Sequence, residues 1–280
     1  MESAALLCYS ISGRSYEILA CAFLQGLGRV ALLSCGLGVL WGVHFLLVII
    51  FSLNYLGILS IPEGWLGGDR IQLLWQWSFY VTSMCTFHLS EFFTTALYNP
   101  TVTTADSFLV NHSATYTAAA FFSWTEFAIR FGLFPHMNTS MLSLLGVLVV
   151  AVSQTIRSLA MITCAESFNH LIQRSKKENH VLITHGIYNY FRHPSYVGFF
   201  YWSVGTQLVL GNYVSASLYA LASCMFFRRR IPYEEESLLH LFPNQYPGYA
   251  KRTWMGIPFV SSIAAAAASL TVAEENNKTK

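Results

Sequence analysis

The chain has 280 residues, 54% of them hydrophobic and 11% charged, with a mean hydropathy of +0.45. That balance excludes an ordinary soluble domain and points to a polytopic membrane protein. The formal net charge of +2 comes from basic residues held in short connecting segments, so no broad cationic face and no nucleic-acid partner are expected.

A helix needs about 20 apolar residues to cross the hydrocarbon. Two spans are expected between Tyr16 and Ser60, separated near Cys35 to Gly38, and Ser3 to Ile11 is a shorter apolar piece that could add another. With no basic n-region or small-residue cleavage site ahead of them, the first helices are expected to act as the targeting signal. Gly26-Leu27-Gly28-Arg29-Val30-Ala31 has the letters of a dinucleotide loop, but no strand precedes it, and it reads as small residues for helix packing. A soluble Rossmann-type enzyme is disfavoured, which leaves any cofactor to membrane helices and their loops.

A Pro/Gly-rich turn from Ile61 to Gly68 closes this part, and the next span runs from Gln72 to Leu97, stopped by Asn99-Pro100. Spans at Ala114 to Phe134 and Met137 to Cys164 are joined by a turn at Pro135. Charges inside these spans need partners, because an unpaired one is costly in hydrocarbon. His88 and Glu91 lie three apart and Glu126 and Arg130 four apart, spacings that set each pair on one helix face. Arg157 sits near a span end, where it can snorkel.

His170, His180, His185 and His193 fall close together, but their spacing fits no standard ligand pattern and no cysteine joins them, so no metal is expected. The six cysteines form no C-x-x-C pair and read as buried reduced thiols. His193 stands beside Arg192 and a helix-starting Pro194, which suits hydrogen bonding to a polar or anionic ligand.

Pro194 to Phe227 contains no Asp, Glu, Lys, Arg or His. As one helix it would run about 50 Å, far beyond the roughly 30 Å hydrocarbon core. Arg174, Lys176, Lys177 and Arg192 precede it, and Arg228, Arg229, Arg230, Lys251 and Arg252 follow it, so the positive-inside rule puts both flanks in the cytosol. Two short helices, about Ser195 to Leu210 and Tyr213 to Phe227, are therefore expected to form a hairpin turning at Gly211-Asn212 and opening to the cytosol. Arg230, Glu234 and Glu235 follow the hairpin at helical spacing and would face His193 across its mouth.

The expected fold class is all-α, a polytopic integral membrane protein of seven to eight transmembrane helices. Residues 1–71 and 72–164 would supply N-terminal and core helices, 165–260 a cytosol-facing catalytic region, and 261–280 a polar tail without a C-a-a-X box.

The pieces F-H-L-S-E at Phe87, D-S-F-L-V-N-H-S at Asp106, F-N-H at Phe168, T-H-G-I-Y at Thr184 and R-H-P-S-Y-V-G-F-F-Y-W-S at Arg192 together resemble the isoprenylcysteine carboxyl methyltransferases. The likeness extends from about Thr86 to Phe259, although phospholipid N-methyltransferases and certain sterol reductases share the R-H-P-x-Y-x-G element. The sequence departs from the family pattern at Pro243 and at Thr253-Trp254. The resemblance implies that S-adenosylmethionine is held by Gln173, the backbone of His180, Val181, Leu182 and Ile183, Tyr188, His193, Pro194, Ser195, Tyr196 and Glu234. It implies that Arg230 contacts the substrate carboxylate, with Arg230 and Glu234 as the catalytic pair. The implied partners are the prenylated C-terminal cysteine of processed C-a-a-X proteins and the lipid bilayer, and the implied residence is the endoplasmic reticulum. A phospholipid N-methyltransferase and an NADPH-dependent sterol reductase are the alternatives.

Overall fold

The computed structural model describes residues 26–62, 67–110, 113–168 and 181–260. Among them six long helices form, α1 (Leu27–Tyr55), α2 (Gly67–Tyr98), α3 (Ala114–Leu133), α4 (Ser140–Cys164), α5 (Pro194–Leu210) and α6 (Tyr213–Leu241), followed by a short α7 (Tyr246–Arg252). The all-α expectation holds among the described residues, where β pairing is limited to one isolated bridge between Phe191 and Trp254.

The break expected near Cys35 to Gly38 does not occur, because α1 runs straight through it. In hydrocarbon no water is present to take freed backbone groups, so glycines at 36 and 38 leave the helix intact. The described residues thus hold six long helices, and the piece at Ser3 to Ile11 lies outside them. α1 buries none of its side chains and is tied to α2 by Trp41 donating to Thr86 at 3.0 Å and Trp75 donating to Ser52 at 3.0 Å. Cys35 is exposed on it, contrary to the expectation of buried thiols, whereas Cys85 is buried and Cys164 and Cys224 are half-buried.

α4 and α5 form the tightest helix pair, and their glycines are the reason. A Cβ on Gly198 would lie 2.8 Å from the Arg157 backbone nitrogen, and one on Gly146 would lie 2.5 Å from the Val209 nitrogen. Without side chains at those points the two backbones touch directly.

The expected hairpin forms, with Gly211 supplying the left-handed turn residue at φ 66°. The pairing expected between Glu126 and Arg130 does not form. Glu126 instead accepts from the backbone of Val214 at 3.0 Å and Ser215 at 2.7 Å, capping the positive end of α6. Arg130 donates to the Leu210 carbonyl at the end of α5 and to Gln76. Two residues one turn apart on α3 therefore clamp both arms of the hairpin at its tip.

His88 and Glu91 also do not pair with each other. His88 Nδ1 meets the Phe108 carbonyl at 2.8 Å, while Glu91 takes a two-pronged contact from Arg157, Nε at 2.7 Å and Nη2 at 2.9 Å. Arg157 is buried and does not snorkel. The second hairpin helix does not stop at Phe227 but continues through Pro232 to Leu241. Proline removes one backbone donor there, near exposed Arg228 where water can satisfy the freed carbonyl.

Candidate active site

The continuation of α6 past Phe227 makes the site possible. Phe226, Arg230, Glu234, Leu238 and Leu241 recur at three- to four-residue spacing, so they share one face. That face lines a cavity of about 220 Å³, closed opposite by the 181–193 segment, the start of α5, the end of α4 and α7. Its lining includes polar groups, Tyr188, His193, Glu234, Tyr246 and Tyr249, and apolar ones, Phe87, Leu109, Phe168, Phe199, Phe226 and Phe227, with Tyr116 beside them. Arg157, Arg192 and Arg230 also line it, and two of these guanidinium groups lie over aromatic rings. Arg230 lies over the rings of Tyr196 and Phe226 at 5.5 and 5.8 Å, and Arg157 over those of Phe87 and Phe168 at 5.8 and 5.9 Å.

A charge network runs along the polar wall. Arg230 Nε donates to Tyr196 Oη at 2.7 Å, and Tyr196 donates onward to Glu234 Oε2 at 2.5 Å. The His193 ring stacks on Tyr196 and lies between two carboxylates, Nδ1 3.6 Å from Glu234 and Nε2 3.7 Å from Glu235. Both are ion-pair rather than hydrogen-bond distances, and the buried Nε2 has no hydrogen-bond partner. Glu235 is fully buried and also pairs with Arg192 at 3.3 Å and Tyr246 at 3.3 Å. Arg157 reaches the same wall from below, donating to Ser195 Oγ at 2.5 Å and to the Ser195 carbonyl at 3.1 Å.

Burial pushes the His193 imidazolium down, but Glu234 and Glu235 outweigh it and hold the group up at about 9. For Glu234 burial pushes the carboxyl up, and His193, Tyr196 and Arg230 outweigh that and hold it below the usual range. Burial, with Cys164 and Glu234, keeps the Tyr188 phenol well above its ordinary value and therefore neutral.

Because His193 binds its proton more tightly when folded, its contribution to stability is complete below its unfolded pKa of about 6.5 and is lost as pH rises through about 9. The difference is worth on the order of 3 kcal/mol. The melting temperature of the detergent-purified protein should fall across that window, and His193→Gln should flatten the fall. An unchanged slope in the variant would remove His193 from the ion-pair network.

Of the residues named from sequence, Val181, Leu182, Ile183, Tyr188, His193, Ser195, Tyr196, Arg230 and Glu234 line this one cavity. Pro194 does not line it; it is buried at the first position of α5 and sets where the helix starts. Gln173 and His180 lie outside the described residues. Sequence reasoning treated Arg157 as a structural charge and did not foresee Tyr249, whose hydroxyl donates to the Tyr188 carbonyl at 2.8 Å and braces the loop. An arginine inside an otherwise apolar span was the available signal for Arg157.

The isoprenylcysteine carboxyl methyltransferase family pattern matches residues 144–240. Over 185 residues the chain is 45% identical to a protein-S-isoprenylcysteine O-methyltransferase of Xenopus laevis and 44% identical to one of Homo sapiens. Those matches cover 66% of this chain but 64% and 65% of the relatives, just under two thirds of their length. A protein-S-isoprenylcysteine O-methyltransferase A of Arabidopsis thaliana is 39% identical over 188 residues, 94% of its length. A solved eukaryotic intramembrane Ras methyltransferase, also an isoprenylcysteine carboxyl methyltransferase, superposes with a TM-score of 0.71 at 34% identity, covering 92% of each chain.

Proposed function

The chain belongs to the isoprenylcysteine carboxyl methyltransferase family, and from that premise we propose that it methylates the C-terminal α-carboxylate of a prenylated cysteine on trimmed C-a-a-X proteins. The observation that carries this reading is one cavity lined by both polar and aromatic groups, with Arg157 and Arg230 over aromatic rings of that lining, and the reading takes the polar lining as one lobe and the aromatic lining as the other. Residues 165–260 form the catalytic region in this reading, and 72–164 supply the helices it folds against.

S-adenosylmethionine, when bound, supplies a methyl carbon activated by its sulfonium. The polar lobe suits such a group: Glu234 and His193 offer charges of both signs for an ammonium and a carboxylate, and Tyr188, Tyr246 and Tyr249 offer rings. Val181, Leu182, Ile183, Ser195 and Tyr196 complete that wall, with Gln173, His180 and Pro194 assigned by family likeness. A terminal carboxyl has a pKa of about 3.3–3.7, so the nucleophile is already ionised at neutral pH and no general base is required. What the protein must do is align the carboxylate and strip its water. Arg230 holds the carboxylate with its planar fork, and the apolar lobe receives the prenyl chain, each buried methylene contributing about 0.8 kcal/mol.

Phospholipid N-methylation acts on an amine, so a guanidinium pairing with a carboxylate at the reacting end would be unneeded. A sterol reductase would need further cations for a nucleotide phosphate. Protein in nanodiscs, given labelled S-adenosylmethionine with either a farnesylcysteine analogue or phosphatidylethanolamine, should transfer label to the first as a base-labile ester. Label on the second alone would overturn the assignment.

The cavity mouth faces the cytosol in this reading, supported by the basic residues Arg228, Arg229, Lys251 and Arg252 that follow the uncharged run, and family likeness makes the membrane that of the endoplasmic reticulum. Lys251→Cys should react with an impermeant maleimide in sealed microsomes. Reaction only after permeabilisation would reverse the orientation.

A further inference from the structure

The segment after α7 is placed more deeply than its sequence position implies. Ile257 is buried against Val197 and Phe200 of α5 and Phe227 and Ile231 of α6, and Cys224 Sγ lies 3.6 Å from the Pro258 carbonyl. Cys224, Phe200 and Phe227 all belong to the run without charges, and Cys224 lies one helical turn to the membrane side of exposed Arg228. At Pro258 the chain therefore reaches a level of α6 one turn below the basic residues, on a face that adjoins the cavity face at Phe227. Phe259, the next residue, is 90% exposed, and on α6 Leu221, 58% exposed, and Met225, 51% exposed, lie within a turn of Cys224. Trp254, 75% exposed, and Tyr190, 65% exposed, lie nearer the charges, joined by the Trp254 N–H donating to the Tyr190 carbonyl at 2.9 Å. Indole and phenol rings favour the headgroup level, and a phenyl ring favours the acyl chains beneath it.

We infer that residues 253–260 form a strap that re-enters the leaflet on the cavity side and seats Phe259 among the lipid acyl chains of the bilayer that holds the helices. The occupant is lipid because Pro258, beside Phe259, meets Cys224 inside the uncharged run of α6, and because the exposed basic residues Arg228, Arg229, Lys251 and Arg252 that follow that run suit anionic headgroups. The strap's other edge reaches the site, since the Arg192 N–H donates to the Trp254 carbonyl at 3.0 Å. The proposal stands independently of which substrate the cavity takes.

The test uses the full chain in nanodiscs of labelled phosphatidylcholine, with p-benzoyl-phenylalanine placed singly at position 259, 221 or 236. Position 221 reports the lipid-facing side of α6, and Glu236 is exposed beyond the basic triplet. Irradiation should give lipid adducts at 259 in a yield close to that at 221 and several-fold above that at 236. A yield at 259 nearer to that at 236 overturns the strap and leaves Phe259 to water or to a soluble partner. At 259 the benzophenone replaces an exposed phenyl ring, and Leu221 and Glu236 are exposed as well, so folding is preserved, and the melting temperature of each labelled protein checks it.

Discussion

Glu91→Ala is expected to destabilise the protein by about 3–5 kcal/mol, the usual cost of removing one partner from a buried ion pair. Glu91 is fully buried and receives two hydrogen bonds from an Arg157 that is itself buried, so the substitution strands a guanidinium in the middle of the bundle. The loss should appear as a drop in melting temperature in detergent. It should be largely recovered in Glu91→Ala/Arg157→Met, because the cost comes from the unpaired charge rather than from absence of the pair. Activity separates the two roles of Arg157. The double variant should fold and still turn over poorly, since Arg157 also positions Ser195 at the start of α5. A stable single Glu91→Ala variant would mean that Arg157 finds another counter-charge.

Arg230→Lys is expected to lower kcat/KM for a prenylcysteine substrate by about 2–3 kcal/mol, or about 30- to 150-fold, with cofactor affinity preserved. Lysine keeps the charge but loses the planar fork that can grip a carboxylate with one edge while Nε holds Tyr196. Calorimetric binding of S-adenosylhomocysteine separates the outcomes. Full activity would sink the fork-like role, and a loss of affinity for the cofactor product would move Arg230 into the polar lobe.

Much of the site was legible in sequence because its parts are local. Arg192-His193-Pro194-Ser195-Tyr196 is a helix start, and proline at its first position fixes where α5 begins, so His193 and Tyr196 fall on the same turn. Arg230 and Glu234 lie four apart on one helix, and an uncharged run too long for a single crossing, with like charges at both ends, forces a hairpin that brings them opposite His193. Helix type, turn position and facing are periodic or compositional properties, and a sequence displays them directly.

The ion pairs inside the membrane were not legible. Local spacing suggested His88 with Glu91 and Glu126 with Arg130, whereas Glu91 pairs with Arg157, 66 residues away, and Glu126 caps α6, 88 and 89 residues away. Spacing on one helix establishes only that two groups share a face. Which group lies opposite is decided by how closely and at what height two helices pack. Here that depends on bare glycine contacts such as Gly198 against the Arg157 backbone, which a sequence records only as missing side chains. The same limit hid the continuous α1, whose glycines resemble a break in composition but are held helical by the absence of water, and the docking of Ile257 between α5 and α6. The sequence by itself determined the membrane class, the hairpin and the shared face of Arg230 and Glu234 on α6. Only the tertiary structure decided the charge partners and the course of the chain after α7, because both depend on distances between segments that no local pattern encodes.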